Sequence, residues 1–244
     1  MHFYAIIIGT EILNGRREDK HFELVKNELA KYGHELFASF LIKDDKELIK
    51  NCFKLIKDDE ESVLFSFGGI GSTPDDLTRE IASAVFRNSP TLTHEKFLED
   101  IIDRFKDKAY PHRIHMADLP PESDLLFNPI NNMSGFSLDE RFFFTPGFPS
   151  MAHPMIRAVI QKHFSHSIKK YRKTLLADTS EESLITLMQE LPHTIELSCL
   201  PMFIDNKPKV ELSLSGINKE EVATNFDIFI NDLNSKNISY TLRH

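Results

Sequence analysis

Three short apolar runs punctuate the N-terminal third of the chain: FYAIII at 3–8, ELFASFLI at 35–42 and SVLFSF at 62–67. In FYAIII, apolar side chains on consecutive positions mark a strand buried on both faces; ELFASFLI is the next strand candidate and SVLFSF a third apolar strand. Between and after them the spacing changes to that of helices. Phe22, Val25, Leu29 and Tyr32 recur on one helical face, with Gly33 placed to end it; Leu48, Cys52, Leu55 and Ile56 form a second such face, and Leu77, Ile81 and Val85 a third. Strands alternating with helices in this way require crossover connections, which predicts a mostly parallel sheet covered by helices on both sides, an α/β/α three-layer domain.

Beyond residue 88 the pattern blurs. Residues 88–120 read as helical without a sharp period. The segment ESDLLFNPINNMSGFSLDERFFFTPGFPS at 122–150 breaks short apolar runs with Asn, Pro and Gly, which predicts two or three strands with turns at Asn131–Asn132 and Pro146–Gly147. A helix through Met155, Ile156, Val159 and Ile160 closes this unit near residue 164. The polar stretch SHSIKKYRK then marks a boundary between a first domain, 1–165, and a second, 170–244. The second reads as strand (171–177), helix (180–191), strand (194–200), strand (209–215), helix (218–233) and strand (237–242), a small α+β unit of β-α-β-β-α-β order. Its one glycine is Gly216, and it has no phosphate-binding loop.

Composition narrows the function classes. Apolar residues make up 41% and charged residues 27% of 244, as in ordinary globular proteins. No apolar run approaches the ~20 residues needed to span a bilayer, and the start, MHFYAIIIGTE, reads as a buried strand, not a signal peptide. The two cysteines, Cys52 and Cys199, have neither zinc-site nor disulfide-framework spacing, so the expected location is cytoplasmic. The net charge is −8 and the densest basic run is KKYRK at 169–173. Nucleic-acid binding draws most of its affinity from phosphate contacts, so no nucleic-acid partner is expected.

One turn concentrates chemistry. GGIGSTPDDLTRE, Gly68 to Glu80, follows the third strand and holds three of the chain's nine glycines. In open α/β sheets ligands bind beyond the carboxyl ends of the strands, where this turn lies. Glycines permit positive φ and close backbone approach, so successive N–H groups can converge on an anion at a helix N-terminus. Thr73 suits an N-cap, Pro74 the first helical position and Asp76 a capping-box acid. Asp76 can therefore be only a cap, and the glycines only a tight turn. Asp75 asks for more: carboxylates beside a phosphate repel it unless a hard divalent cation lies between them. Glu11, after the first strand, either joins that edge or is simply solvated. Asp19 suits a first-turn acid, and His21 a packing histidine.

These residues resemble a known family. GGIGSTPDDLTRE, preceded by IGTEILNG and followed by ADLPPESDLLFN and TPGFPS, is similar to the molybdopterin-binding (MoCF) domain of competence/damage-inducible CinA proteins over roughly residues 3–164. Residues 170–244 resemble the small KH-like domain that follows it there. The resemblance implies a MoCF fold that self-associates as a dimer, and one of two chemistries. One is divalent-metal-dependent (Mg²⁺, Mn²⁺ or Co²⁺) hydrolysis of ADP-ribose or of a dinucleotide such as FAD. The other is binding of a molybdopterin or nucleotide without turnover. Gly68, Gly69, Gly71, Thr73, Asp75, Asp76 and Thr78 match the family pattern, as do Glu11, Asn128 and Gly135; Thr10, His21, Ser72 and Met151 depart from it. The departures bear on catalysis, not on phosphate binding. The amidohydrolase domain of longer CinA proteins is expected to be missing from a chain of this length.

The expected site therefore has Asp75 and Asp76 as catalytic groups, Asp75, Asp76 and Glu11 as metal ligands, and Gly68, Gly69, Gly71, Ser72, Thr73, Thr78 and Asn128 around a phosphate. His21 is a candidate base. The second domain lacks the Gly-x-x-Gly loop by which KH modules clamp nucleic acid, so packing or dimerisation is its expected role.

Overall fold

The computed structural model describes residues 1–167 and 169–243. The chain divides into two compact units, Met1–Ser167 and Ile168–His244.

In the first unit β1 (His2–Ile8) leads through the single-turn α1 (Thr10–Leu13) and α2 (His21–Ala30) to β2 (Leu36–Ile42). From there α3 (Lys46–Lys57) leads to β3 (Ser62–Phe67). After the glycine turn come α4 (Thr78–Ala82), a π-helical turn over 83–87, and a two-strand ladder of β4 (Leu92–Thr93) with β5 (Asp118–Leu119) around α5 (Glu95–Phe105). Then follow β6 (Asp124–Leu126), β7 (Gly135–Leu138), β8 (Phe142–Thr145) and α6 (Pro149–His163). The main sheet has the order β2-β1-β3-β8-β7-β6. Its first four strands run parallel, and β7 and β6 reverse as a meander at the far edge. The expected mostly parallel sheet is present.

Period-two geometry explains why consecutive apolar residues are needed. Along β1, Tyr4, Ile6 and Ile8 enter one core with Ile49, Phe53 and Ile56 of α3, whereas Phe3 and Ile7 enter the other with Leu24, Val25 and Leu29 of α2. β8 divides its phenylalanines the same way: Phe142 and Phe144 face α3, and Phe143 faces α6. With no Trp in the chain, Phe supplies the aromatic mass. Phe136 stacks on Phe144 at 4.5 Å and Phe86 packs on Phe142 at 4.3 Å. Each such pair contributes roughly 0.5–1.5 kcal/mol beyond its burial.

The segment 88–120 lacked a period because it is not one helix. Only α5 is regular, and 3-10 turns at Lys106–Ala109 and Arg113–Ala117 complete it. Residues 122–150 form three strands, within the expected range.

The second unit runs β9 (Tyr171–Ala177), a 3-10 turn and the short α7 (Ile185–Gln189), β10 (Glu196–Ile204), β11 (Lys207–Gly216), α8 (Lys219–Ser235) and β12 (Tyr240–Arg243). Its antiparallel sheet has the order β10-β11-β9-β12. Leu175, Val210, Leu212 and Leu214 of the sheet pack against Val222, Phe226, Phe229 and Leu233 of α8. The β-α-β-β-α-β order is as expected, but the first helix is much shorter than 180–191. Among the described residues no helix is long and apolar enough to cross a membrane.

Candidate functional site

The chain steps from β1 to β2 on one side and returns to β3 on the other, so the crevice between β1 and β3 opens at their carboxyl ends. Ile8 ends β1 there, Gly68 follows β3, and Pro146–Gly147 follows β8. These residues line a cleft of about 490 Å³.

Backbone crowding dictates the two leading glycines. Gly68 has φ +98°, and a Cβ there would lie 2.5 Å from the Ile8 carbonyl oxygen. Gly69 has φ +69°, and its Cβ would run into the Thr78 hydroxyl. Thr78 is fully buried. Its hydroxyl donates to the Gly68 carbonyl and its amide to the Gly69 carbonyl, both at 3.0 Å. Thr78, expected to contact phosphate, instead ties the loop shut.

That closure moves the helix. The expected start at Thr73–Pro74 does not form; α4 begins at Thr78, and residues 71–77 make an irregular loop. Asp76 accepts from the Gly71 amide at 2.7 Å, the Thr73 amide at 2.8 Å and the Thr73 hydroxyl at 2.6 Å. The acid does cap backbone N–H groups, but in the loop. Its carboxylate fills the amide nest that the sequence assigned to a phosphate. Gly71 has its own reason to be glycine, since a Cβ would meet the Asp76 carboxylate at 2.6 Å.

Asp75 is exposed and lines the cleft. The Thr73 hydroxyl gives its one proton to Asp76 but lies close enough to Asp75 that, with Asp75's own backbone amide, it holds that carboxyl below the ordinary carboxylate range. Asp75 is therefore ionised at neutral pH.

Glu11 also lines the cleft, where it pairs with Arg17 at 3.4 Å. A fourth carboxylate in the cleft lining, Asp44, was not anticipated from sequence. It follows β2 and accepts from the Thr10 amide and hydroxyl, both at 2.8 Å. Among the described residues no three His, Cys, Asp or Glu side chains come together as a metal site. Glu11, Asp75 and Asp76 share the cleft but are not arranged as the three-ligand set expected of them.

Asn128 is fully buried and does not line the cleft. Its amide donates to the Met133 carbonyl at 3.0 Å and accepts from the Ile130 amide at 3.1 Å, so it shapes the loop that presents Asn131, Met133 and Ser134. Met151 lines the wall, its sulfur accepting from Asn131 at 3.1 Å. Phe105 and Met116 complete the apolar side. They come from the segment without periodicity, so no sequence signal placed them here.

His21 is no base for this cleft. It is 2% exposed, stacks on Phe67 at 4.2 Å, and its Nε2–H donates to the Gly147 carbonyl at 3.3 Å, supporting the cleft wall from behind. Asp19 caps the first turn of α2 as expected, accepting from the His21 and Phe22 amides. His153 packs edge-on to His21 at 5.3 Å. Burial pushes both imidazoles below their ordinary 6.5, outweighing the raising effects of Gly147 and Asp19 on His21. A base whose folded-state pKa is depressed binds fewer protons than its unfolded form, so stability rises with pH. The expected result is full stability above about pH 6.5 and a progressive loss as pH falls toward the folded-state values. Urea midpoints measured from pH 7.5 down to 5 check it. His21→Gln keeps a donor to Gly147 and should flatten the profile; an unchanged profile would remove His21 as a source.

The sequence pattern of the family described as "Probable molybdopterin binding domain" matches residues 4–166, which is 163 of 244 residues. The chain belongs to this family. It is 32% identical over 158 residues to a CinA-like protein of Acaryochloris marina, covering 62% of this chain and 37% of that one. It is 28% identical over 228 residues to a CinA-like protein of Desulfotalea psychrophila, covering 88% of this chain and 54% of that one. The chain thus spans about half or less of the length of these curated relatives. A crystal structure of CinA from Thermoplasma acidophilum, described as of unknown function, superimposes with a TM-score of 0.59 at 25% identity, covering 66% of this chain and 96% of that one.

Proposed function

We propose that the first unit binds a phosphorylated small molecule of the molybdopterin or nucleotide class, with its planar portion in the cleft at the ends of β1, β3 and β8. The observation that carries this reading is the cleft itself. A turn that only glycine can make brings backbone to the switch point of the sheet, opposite an apolar wall of Phe105, Met116, Met133 and Phe148. Pockets of this kind, mostly apolar with a few placed polar groups, are where cofactor-sized ligands bind. FAD, ADP-ribose and molybdopterin are the ligands to titrate. A ligand that binds only the folded state adds about 2.7 kcal/mol at a hundredfold excess over its Kd. The expected result is a rise in melting temperature with at least one of them. No rise with any would end this reading.

A second reading, metal-dependent hydrolysis of a diphosphate bond in ADP-ribose or FAD, is favoured by Asp75. Its exposed, ionised carboxylate faces the cleft and closes no loop. A resident metal site does not fit, since no three ligating side chains converge among the described residues. The cation would arrive on the ligand's phosphates, as Mg²⁺ commonly does, with Asp75 as its protein carboxylate. A bound divalent ion would supply charge neutralisation at the diphosphate. Under this reading the protein releases AMP with Mg²⁺, Mn²⁺ or Co²⁺. Asp75→Asn should then lower turnover by more than the roughly 10–100-fold typical of losing a residue that only supports a metal, without moving the melting temperature. Release that persists in Asp75→Asn would take Asp75 out of the chemistry. No release alongside ligand-induced stabilisation would leave a binding protein.

A further inference from the structure

The glycine loop has a second side. Ser72, Thr73 and Pro74 also wall a separate cleft of about 430 Å³, whose other lining residues are Lys108, Tyr110, His112 and Arg113. We propose that this second cleft is an anion subsite, taking the phosphate or diphosphate arm of a ligand whose planar portion lies in the first cleft. The inference rests on the binding function proposed above and assigns it a ligand geometry.

Charge separates the two clefts. The first is lined by the carboxylates of Glu11, Asp44, Asp75 and Asp76 against a single guanidinium, that of Arg17. The second has no Asp or Glu in its lining and carries an ammonium, a guanidinium and an imidazole. In a chain with 37 acidic and 29 basic residues, a wall with three basic groups and no acid is a local departure from the whole. A phosphate entering the first cleft meets carboxylates. In the second it meets donors.

Hydrogen bonding points the same way. Asp76 occupies the Gly71 and Thr73 amides, so the loop's own nest is closed to an external anion. The opposite wall is ready-made. Arg113 donates from Nη1 to the Lys108 carbonyl at 2.7 Å, and its guanidinium lies 4.7 Å from the Phe105 ring centroid. These contacts hold the planar fork in place, which lowers the entropy lost when it grips an oxyanion. Among the described residues neither Lys108 nor Arg113 is in a salt bridge, so both cations are available. Phe105 links the clefts: it lines the first and supports the arginine of the second. Ser72 and Thr73 line both, so a ligand lying over them reaches from one cleft into the other.

Inorganic diphosphate tests the subsite without the rest of the ligand. It should raise the melting temperature of the full chain in a salt-sensitive way, and the Lys108→Gln/Arg113→Gln double variant should need about tenfold or more diphosphate for the same rise. If Arg113→Gln disturbs folding by circular dichroism, Lys108→Gln/His112→Gln serves in its place. No rise in the wild type, or an equal rise in a folded double variant, would overturn the subsite. FAD and riboflavin supply the second arm: the double variant should lose affinity for FAD by a similar factor and keep its affinity for riboflavin. Diphosphate binding that depends on Lys108 and Arg113, with no binding of any nucleotide or pterin, would retain the anion subsite and remove the proposed function instead. Equal losses for FAD and riboflavin would overturn the division of the ligand between the clefts.

Discussion

Gly68→Ala should cost about 2–4 kcal/mol of stability and abolish ligand-induced stabilisation. Two penalties meet at this residue. The backbone sits at φ +98°, a region that side chains rarely adopt. The added Cβ would also lie 2.5 Å from the carbonyl oxygen of Ile8, at the end of the buried central strand β1. Ile8 cannot retreat cheaply, because the next residue's amide, that of Gly9, is bonded to the Ile42 carbonyl of β2 at 3.0 Å. Gly15 separates the two penalties: it has φ +77°, but a methyl added there would meet nothing within 4 Å. Gly15→Ala should therefore show backbone strain alone, about 1 kcal/mol. Urea midpoints with unchanged slopes would measure both variants. Equal losses at the two glycines would mean that close approach of β1 and the loop does not decide the turn.

Asp76→Ala should destabilise the loop and turn it into an anion site. The substitution removes the acceptor for two amides and one hydroxyl, all between 2.6 and 2.8 Å. Charge-assisted bonds of this kind contribute roughly 1–3 kcal/mol in total when water can reach the freed donors. The same change opens the Gly71 and Thr73 amides to an external oxyanion. Phosphate at constant ionic strength should then recover more melting temperature in the variant than in the wild type. Asp75→Ala is the control, because it removes the same charge from the same loop without freeing the Gly71 and Thr73 amides. If phosphate acts alike on Asp75→Ala and Asp76→Ala, bulk charge explains the effect and the nest does not.

The motif's ambiguity was physical. Thr-Pro-Asp-Asp suits a helix N-terminus and a loop closed by an acidic side chain for the same reason: in both, a carboxylate accepts backbone N–H groups left without partners. Sequence spacing records that such N–H groups exist nearby and not which backbone carries them. Asp19 shows the case where the local reading holds, since its partners are amides two and three residues on, at the head of its own helix. Thr78 shows where it fails. A threonine beside a glycine turn suggests a ligand contact, yet its hydroxyl is spent on the Gly68 carbonyl because the loop folds back over it.

Features that depend on neighbours along the chain were legible before any fold was known. Consecutive apolar residues marked β1 and β3 as strands, helical spacing marked α2, α3 and α8, and the glycines marked a tight turn after β3. Features that depend on contacts between distant segments came from the folded arrangement alone. It set the late start of α4 and spent Asp76 on the loop. It drew Asp44 to Thr10, and it brought Phe105, Met116 and Arg113 from an unpatterned stretch to the cleft walls. Periodicity reports which side of an element is buried, a property of each element alone. The partner of a given carboxylate or guanidinium is fixed only when two elements meet, and one sequence carries no periodic trace of that meeting.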